Sequence, residues 1–576
     1  MILRERFFGE RWFWPTVILL LAVMATVQVL SIRLEAQTWD EGFEIASGYS
    51  YLKTGDYRIS PEHPPLARVI AALPLLLLNL DVPVQHPSWA ARDDVEFGHE
   101  FIFRNRAPAD RIVFLARMPM IVLTAAFGLI LAWWTRRVFG AVAALGALLL
   151  FAFDPNIVAN GRYVKNDVPV AMMGFVTVAL WGEFLRSRKW RWAGATGAAF
   201  GIAMATKFSA LFLLPVLLIA WFVTRWQRRE PLALGRCALA LAVVAVISTV
   251  PVLLVYAPES HMLIPATRAY RAAHPEVRRL GNAMGVRTER ATAFLQLCTR
   301  LGLQDHPLLV GFTRFLDHTS DGHEAYLLGK RSRDGWWYYF PVAFAVKTPV
   351  ATLAAMALAA VLGLWRLLSG SLRRMRREWL LLLTPIAIYV PLTVFNRVDI
   401  GLRHLLPIYP FVFILTAAVL ARVEWRGKVP VTGALAALLL MESVSVYPNY
   451  LAFFNFAAGG PGAGPRYLVD SNIDWGQDLL KLRDDWIARG RPHLCMLYFG
   501  SALPEYYGLP ANEVPRTGQI AERESANCLA AVSVTPLEDV YLQPGEMAWL
   551  REREPVAKIG YSIYLYDLRK RDRQQP

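Results

Sequence analysis

A chain of 576 residues that is 55% hydrophobic, with a mean hydropathy of +0.33, holds more apolar surface than a soluble core can hide, so an ordinary water-soluble domain is excluded. The formal charge of +15, from 61 basic and 46 acidic residues, argues little for nucleic acid, because the basic clusters sit at the ends of apolar runs and not on one soluble face. The lipid bilayer must serve as part of this chain's solvent.

In chain order, apolar runs near 13–32, 112–134, 141–158, 168–186, 190–206, 208–224, 234–256, 340–365, 379–396, 403–421 and 429–447 predict about eleven transmembrane helices. Basic residues gather in alternate short loops: Arg136 and Arg137; Arg186, Arg188, Lys189 and Arg191; Arg225, Arg228 and Arg229; Arg373 to Arg377; Arg422, Arg426 and Lys428. The positive-inside bias assigns those loops to the cytoplasm. The first run is long and lacks a small-x-small cleavage site, so it reads as a retained anchor with a cytoplasmic N-terminus. Segments 33–111, 159–167, 257–339 and 448–576 then face outward, and the C-terminus with them.

Within the first outer segment, Glu41–Leu52 predicts a helix ended by Gly55, and Pro61, Pro64 and Pro65 predict an extended turn. Segment 66–80 is too short to span and predicts a helix lying on the membrane surface. The run Trp336 to Phe340 is an interfacial aromatic belt before a span. The chain divides into a membrane part, 1–447, and a more polar part, 448–576. In the latter, strands near 466–469, 493–499, 528–534 and 558–567 alternate with helices near 476–488, 502–507 and 546–553. The expected fold is a multi-span α-helical membrane protein with a small C-terminal α/β extracytoplasmic domain. Cys237 falls in a span and Cys298 in an outer loop. Cys495 and Cys528 share the C-terminal domain, where a disulfide and a pair of buried thiols on neighbouring strands are both open.

The polar residues that stand out lie at outer ends of spans. Asp40 and Glu41 follow Trp39 at the membrane lip, where they suit a reactive site and equally the cap and first turn of the helix behind them. Glu62 and His63 sit on the turn stiffened by Pro64 and Pro65, a site or a plain loop. Asp167, in Lys165-Asn166-Asp167, is a second outer carboxylate that also suits a helix start. Lys207 interrupts the apolar stretch from Ala193 to Val223, Lys347 lies just inside the eighth span, and Arg403-His404 opens the tenth. Cations at outer ends oppose the positive-inside bias, and a bound anion would explain them, although Lys207 could also snorkel. The run Asp470 to Asp478 is not a calcium loop, since Trp475 takes the glycine position and Lys481 the place of the bidentate glutamate. It reads as a helix-capping turn or as a polar loop presenting Asp474 and Trp475 to a sugar.

The blocks Thr38-Trp39-Asp40-Glu41, Glu62-His63-Pro64-Pro65-Leu66, Asn166-Asp167, Lys207-Phe208-Ser209, Tyr326-Leu327-Leu328-Gly329, Lys347-Thr348-Pro349 and Arg403-His404-Leu405-Leu406-Pro407, in this order, resemble those of a C-type (GT-C) polyprenyl-phosphate-sugar-dependent glycosyltransferase. The superfamily is that of the protein O-mannosyltransferases and lipid A aminoarabinose transferases, and the resemblance to its bacterial phospholipid-carrier-dependent branch covers most of the chain. It implies a bacterial inner-membrane enzyme in which Asp40 is the general base, Glu41 its neighbour and Asp167 the second acid. The aminoarabinose transferases have lysine where this chain has His63, which puts lipid A specificity in doubt. The resemblance also leaves open a divalent metal on Glu62, with His323 as partner.

The expected function is transfer of a sugar from a polyprenyl-phosphate carrier to an acceptor hydroxyl of a lipid, glycan or protein, with inversion, at the outer face of the membrane. Lys207, Arg403, His404 and His63 would hold the carrier phosphate, and Lys347, Asp474 and Trp475 complete the substrate contacts. There is no glycine-rich phosphate loop to supply a nucleotide sugar. A polytopic transporter or lipid flippase is the alternative, weakened by the lack of an internal repeat; an envelope scaffold would leave the outer cations unexplained.

Overall fold

The computed structural model describes residues 2–273, 293–294, 297, 307–369, 377–394, 397–510, 513–514 and 527–569. Cys298, Arg373 to Arg376 and part of the outer segment 257–339 lie outside them. Helix forms at each of the eleven expected apolar runs. Among the described residues eight helices are long and apolar enough to cross a membrane: Arg11–Ile32, Ala109–Phe139, Asp167–Ser187, Phe208–Arg228, Leu234–Pro258, Val350–Leu368, Leu402–Arg422 and Lys428–Ser445. This is a polytopic helical membrane architecture.

The remaining three runs fall outside that set. The run at 141–158 breaks at Asp154, whose carboxylate caps a second helix, Pro155–Asn160, by accepting from Asn156 N and Ile157 N. Trp190–Thr206 has 17 residues and ends where Lys207 takes extended backbone. The helix Arg377–Val394 carries Pro385 and Pro391. The run at 340–365 is likewise two helices, Tyr339–Lys347 and Val350–Leu368, parted by Thr348-Pro349.

Between the first two spans the predicted helix appears as Glu41–Thr54, closed by Gly55 in the left-handed conformation with its N–H on Tyr51 O. Leu66–Ala72 runs into a 3₁₀ turn, Leu73–Leu78, whose exposed Leu73, Leu76 and Leu77 suit a surface-lying segment.

After Ser445 the chain builds a four-stranded mixed sheet. A hairpin not foreseen from the sequence, β1 (Ala325–Leu327) and β2 (Lys330–Ser332), precedes it, turning through Leu328 and Gly329 at positive φ. The sheet comprises β3 (Leu494–Leu497), β4 (Leu529–Ser533), β5 (Ala557–Ile559) and β6 (Ile563–Asp567), in spatial order β3-β4-β6-β5. β3 and β4 are parallel, and β6 is antiparallel to both β4 and β5. The strand expected at 466–469 is absent: Pro461–Arg466 is a 3₁₀ turn, and Leu468 and Val469 pack into the main core.

Cys495 and Cys528 form a disulfide with Cα atoms 5.9 Å apart, and Cys237 is a buried free thiol. The bridge closes a 33-residue separation next to the parallel strand pair. Its reduction should destabilise the C-terminal domain by about 3 kcal/mol. The measurement is hydrogen exchange of β3 and β4 with and without reductant; unchanged protection would contradict it.

Candidate functional site

The local structure around residue 40 separates two adjacent carboxylates. Successive residues at a helix start project about 100° apart. Glu41 is fully buried and points into the helix packing: Arg117 Nε donates to Oε1 at 2.9 Å and Nη2 to Oε2 at 2.5 Å, while Thr38 N and Val164 N donate at 2.8 and 3.0 Å. All its acceptor capacity is used, so Glu41 is a clamp joining the Asp40 turn to the Lys165 loop, and the catalytic role expected for it is withdrawn. Asp40 holds the N-cap position but makes no side-chain cap bond. Its Oδ2 instead receives Lys165 Nζ at 2.8 Å and lies 3.5 Å from Arg403 Nη1.

Asp40 faces a cavity of about 990 Å³ whose wall includes His63, Lys165, Asp167, Lys207, Arg403, His404 and Trp475, residues far apart in sequence. Lys207 Nζ bonds Asp167 Oδ1, and Arg403 Nη1 lies 3.8 Å from Asp167 Oδ2. Arg403 therefore bridges the two aspartates. Lys165 also reaches Glu44 at 3.3 Å, and Arg68 Nε holds the other Glu44 oxygen at 2.9 Å. Four buried polar atoms on this wall, His63 Nδ1, Asn166 Oδ1, Asp167 Oδ2 and Arg403 Nε, have no hydrogen-bond partner among the described residues.

Electrostatics set the protonation states. Burial opposes ionisation of Asp40, but Lys165 and Arg403 outweigh it and hold the carboxyl below its usual range. Burial also opposes the charge of Lys165, while Asp40 and Glu44 raise its pKa overall. Burial, reinforced by Lys165 and Lys207, pushes His63 down to about 4, so it is neutral near pH 7 despite Glu62.

Glu62 and His323 also line the cavity, but the partner of Glu62 is His318, with Nδ1 3.1 Å from Oε1. His323 stacks on His318 at 5.6 Å and turns Nδ1 toward Glu324 O. The expected Glu62–His323 metal pair is thus not assembled. Among the described residues the group whose ligand atoms all lie within 4.8 Å is His86, Glu96 and Glu100, outside this cavity. Among the described residues Glu62 belongs to no group of three ligand atoms within 4.8 Å of one another, and no step is routed through a metal.

Three other expected contacts are also placed differently. Lys347 is buried away from the cavity, donating to Leu451 O at 2.9 Å and to Asn472 O. Asp474 accepts from Thr535 N at 3.1 Å and anchors the sheet domain. Trp475 lines the cavity, but Arg403 covers its ring, with the guanidinium carbon 4.3 Å from the centroid, so it is no free stacking surface. The residues not foreseen are Lys165, Glu44, His318, Asp470 and Tyr541. Lys165 was legible beside Asp167; Tyr541 carried no sequence signal, because only the sheet domain's docking brings it here.

Residues 112–254 match the family described as dolichyl-phosphate-mannose-protein mannosyltransferase. No curated protein matches the chain. Among solved structures, ArnT from Cupriavidus metallidurans bound to undecaprenyl phosphate is similar, at 15% identity and TM-score 0.47, over 96% of this chain and 99% of that one. The oligosaccharyltransferase AglB from Archaeoglobus fulgidus, in complex with an inhibitory peptide and a dolichol-phosphate, is similar at 11% identity and TM-score 0.46, over 95% and 73%. The oligosaccharyltransferase of the same organism in complex with Zn and sulfate aligns at 12% identity and TM-score 0.41, over 92% and 70%.

The Glu62–His318 pair generates a pH prediction. The hydrogen bond from His318, with the charges of His63, His318 and Lys165, overcomes burial and takes Glu62 down to about 2; the same bond raises His318. The histidine's contribution to stability is full below its ordinary 6.5 and fades as pH rises through the raised value. The glutamate's is full above its ordinary 4.5 and is lost as pH falls toward about 2. In Glu62→Gln, the His318 titration followed by NMR should move down toward 6.5. An unmoved titration would show that the pair does not form.

Proposed function

We propose that this chain is a GT-C-type membrane glycosyltransferase that moves a sugar from a polyprenyl-phosphate carrier to an acceptor hydroxyl on the outer side of a bacterial inner membrane. The observation that carries the reading is the convergence of Asp40, Asp167, Lys207 and Arg403 on one cavity, four of whose buried polar atoms lack hydrogen-bond partners among the described residues. The family match over 112–254 and the ordered sequence blocks support the same chemistry.

In this reading the carrier phosphate lies against Lys207 and Arg403, with His404 and the neutral His63 beside it. The lipid tail leaves along the apolar wall of Phe208, Leu211, Phe212 and Leu392. Before the donor binds, Asp40 and Asp167 serve as counter-ions; an arriving phosphate competes for the same cations and loosens their hold on Asp40. Asp40, ionised in the free protein, takes the proton of the acceptor hydroxyl as that oxygen attacks the anomeric carbon. The anomeric carbon–oxygen bond breaks with its electron pair moving to the phosphate, which departs with one more negative charge, and the anomeric centre inverts. Because that charge appears during the reaction, the cations favour the transition state over the ground state. A flippase is disfavoured because the sequence shows no internal repeat and its notable charges lie at outer ends of spans.

The chain divides near residue 447, with 448–576 as an extracytoplasmic domain, and the N-terminus is cytoplasmic. A cysteine introduced near residue 570 should react with a membrane-impermeant maleimide in intact cells stripped of their outer layers. Labelling only after lysis would reverse the topology.

Asp40→Asn should lower transfer by about 10²-fold or more while leaving a folded protein that binds its lipid donor. The test is purified protein with defined polyprenyl-phosphate sugars and mass analysis of acceptors. Since Asp40 makes no cap bond, a loss cannot be assigned to helix capping. Full activity would move the base to Asp167.

A further inference from the structure

The sheet domain supplies a wall of the cavity that the chemistry above leaves unused. Trp39, the residue before Asp40, stacks on Phe499 with ring centroids 5.2 Å apart and planes 16° apart. Phe499 in turn stacks on Tyr541 at 5.5 Å and 10°. All three rings line the cavity. Trp39 is pinned at its own backbone, donating to Trp475 O at 2.8 Å and accepting from Ser501 Oγ at 2.6 Å. Phe499 stacks on both Trp39 and Tyr541; Tyr541 also meets the His323 ring at 5.8 Å and 86°, and is 45% exposed.

The edge of Tyr541 is polar and fixed. Its hydroxyl donates to Asp470 Oδ2 at 2.6 Å and lies 3.4 Å from His323 Nδ1, and the other Asp470 oxygen accepts from Ser471 N at 2.5 Å. Asp470 holds φ at +57°, a left-handed conformation that aspartate tolerates better than most side chains. Its carboxyl is raised by burial against the pull of Tyr541 and His323. An open aromatic face with a carboxyl group and an imidazole at its rim is shaped for a ligand with one apolar face and a ring of hydroxyls. A hydrocarbon chain would cover this polar rim without adding a hydrogen bond to it.

Resting on the function proposed above, we infer that Tyr541, backed by Phe499 and Trp39, is the platform of an acceptor subsite and that the acceptor is a carbohydrate. The sugar's C–H face lies on the free face of Tyr541, its hydroxyls reach Asp470 and His323, and its reacting hydroxyl is presented to Asp40. The tail and phosphate of the donor occupy the other walls, so donor and acceptor meet at Asp40 from different sides. The stack makes the sheet domain a part of the site, transmitting its position to residue 40 through Trp39.

The test uses the full chain in nanodiscs and saturation-transfer NMR with a panel of neutral hexose and pentose mono- and disaccharides. At least one saccharide should receive saturation at its ring C–H protons, with Tyr541→Ala weakening its binding about tenfold. Decaprenyl phosphate should bind Tyr541→Ala as it binds the unaltered protein, which also reports folding. Should that variant lose lipid binding, Tyr541→Leu, which keeps bulk without a π-face, takes its place and should show the same loss. Asp40→Asn should bind the saccharide normally while failing to transfer. Absence of saturation for every saccharide, or unchanged affinity in both Tyr541 variants, would overturn the inference and leave the glycosyltransferase reading standing. Full transfer by Asp40→Asn would instead strike at that reading and not at the platform.

Discussion

The ion pair between Glu41 and Arg117 is the constraint on which the site depends. Arg117 lies within the long helix Ala109–Phe139, where an unpaired guanidinium would be untenable, and Glu41 gives it a bidentate partner. Spare acceptor capacity on the same carboxylate takes the backbone N–H groups of Thr38 and Val164, so one side chain registers the start of the Asp40 helix against the Lys165–Asp167 loop. A buried pair of this kind adds little over a well-packed apolar one, yet losing one partner costs about 3–5 kcal/mol. Its value here is positional. A second buried pair, Arg162 on Glu35 at 2.7 Å, with Tyr163 on the other Glu35 oxygen at 3.0 Å, braces the same loop from the side of the first helix.

With that register set, the cavity's charges are arranged as a balanced network. Lys165, Lys207 and Arg403 face Asp40, Glu44 and Asp167, and Arg403 is shared between the two aspartates at longer distances than the lysines keep. Longer, shared contacts are the ones an incoming anion exchanges most readily. The guanidinium is meanwhile fixed in its plane by the Trp475 ring, which holds the charge in position without spending its hydrogen-bond donors.

The loop 470–478 joins this network to the sheet domain. Asn472 takes Leu402 N on its side-chain oxygen and donates to the Tyr339 hydroxyl, fixing the turn that carries Arg403. Lys347 caps the Asn472 carbonyl from below. Trp475 O and Gln477 O accept from Trp39 and Ala36, and Asp478 accepts from Ser562 at 2.7 Å in the β5–β6 turn. Gly476, at φ +84°, passes so near Gly500 that a Cβ there would lie 2.6 Å from its Cα. The sheet domain is therefore docked through this loop's backbone.

Periodicity and composition were enough to locate the apolar helices, the short helical stretch within 66–80, most of the sheet domain and the residues that could not be lipid-facing. Each of these follows from local chemistry: apolar length against bilayer thickness, glycine and proline at ends, and the cost of a charge in hydrocarbon. Asp40, Asp167, Lys207 and Arg403 were legible for the last of these reasons. Which of two adjacent carboxylates faces the cavity was not, because Asp40 and Glu41 have the same local propensities and only the position of Arg117, 76 residues from Glu41, separates them. For the same reason Lys347, Asp474 and Trp475 looked like contacts until the fold gave them carbonyls, a backbone amide and a guanidinium to meet. Tyr541 was invisible, since an aromatic residue in a turn acquires a role only when docking sets it beside Phe499 and Asp470. Pairing across long sequence distance is a property of packing, and packing has no signature in any one stretch of chain.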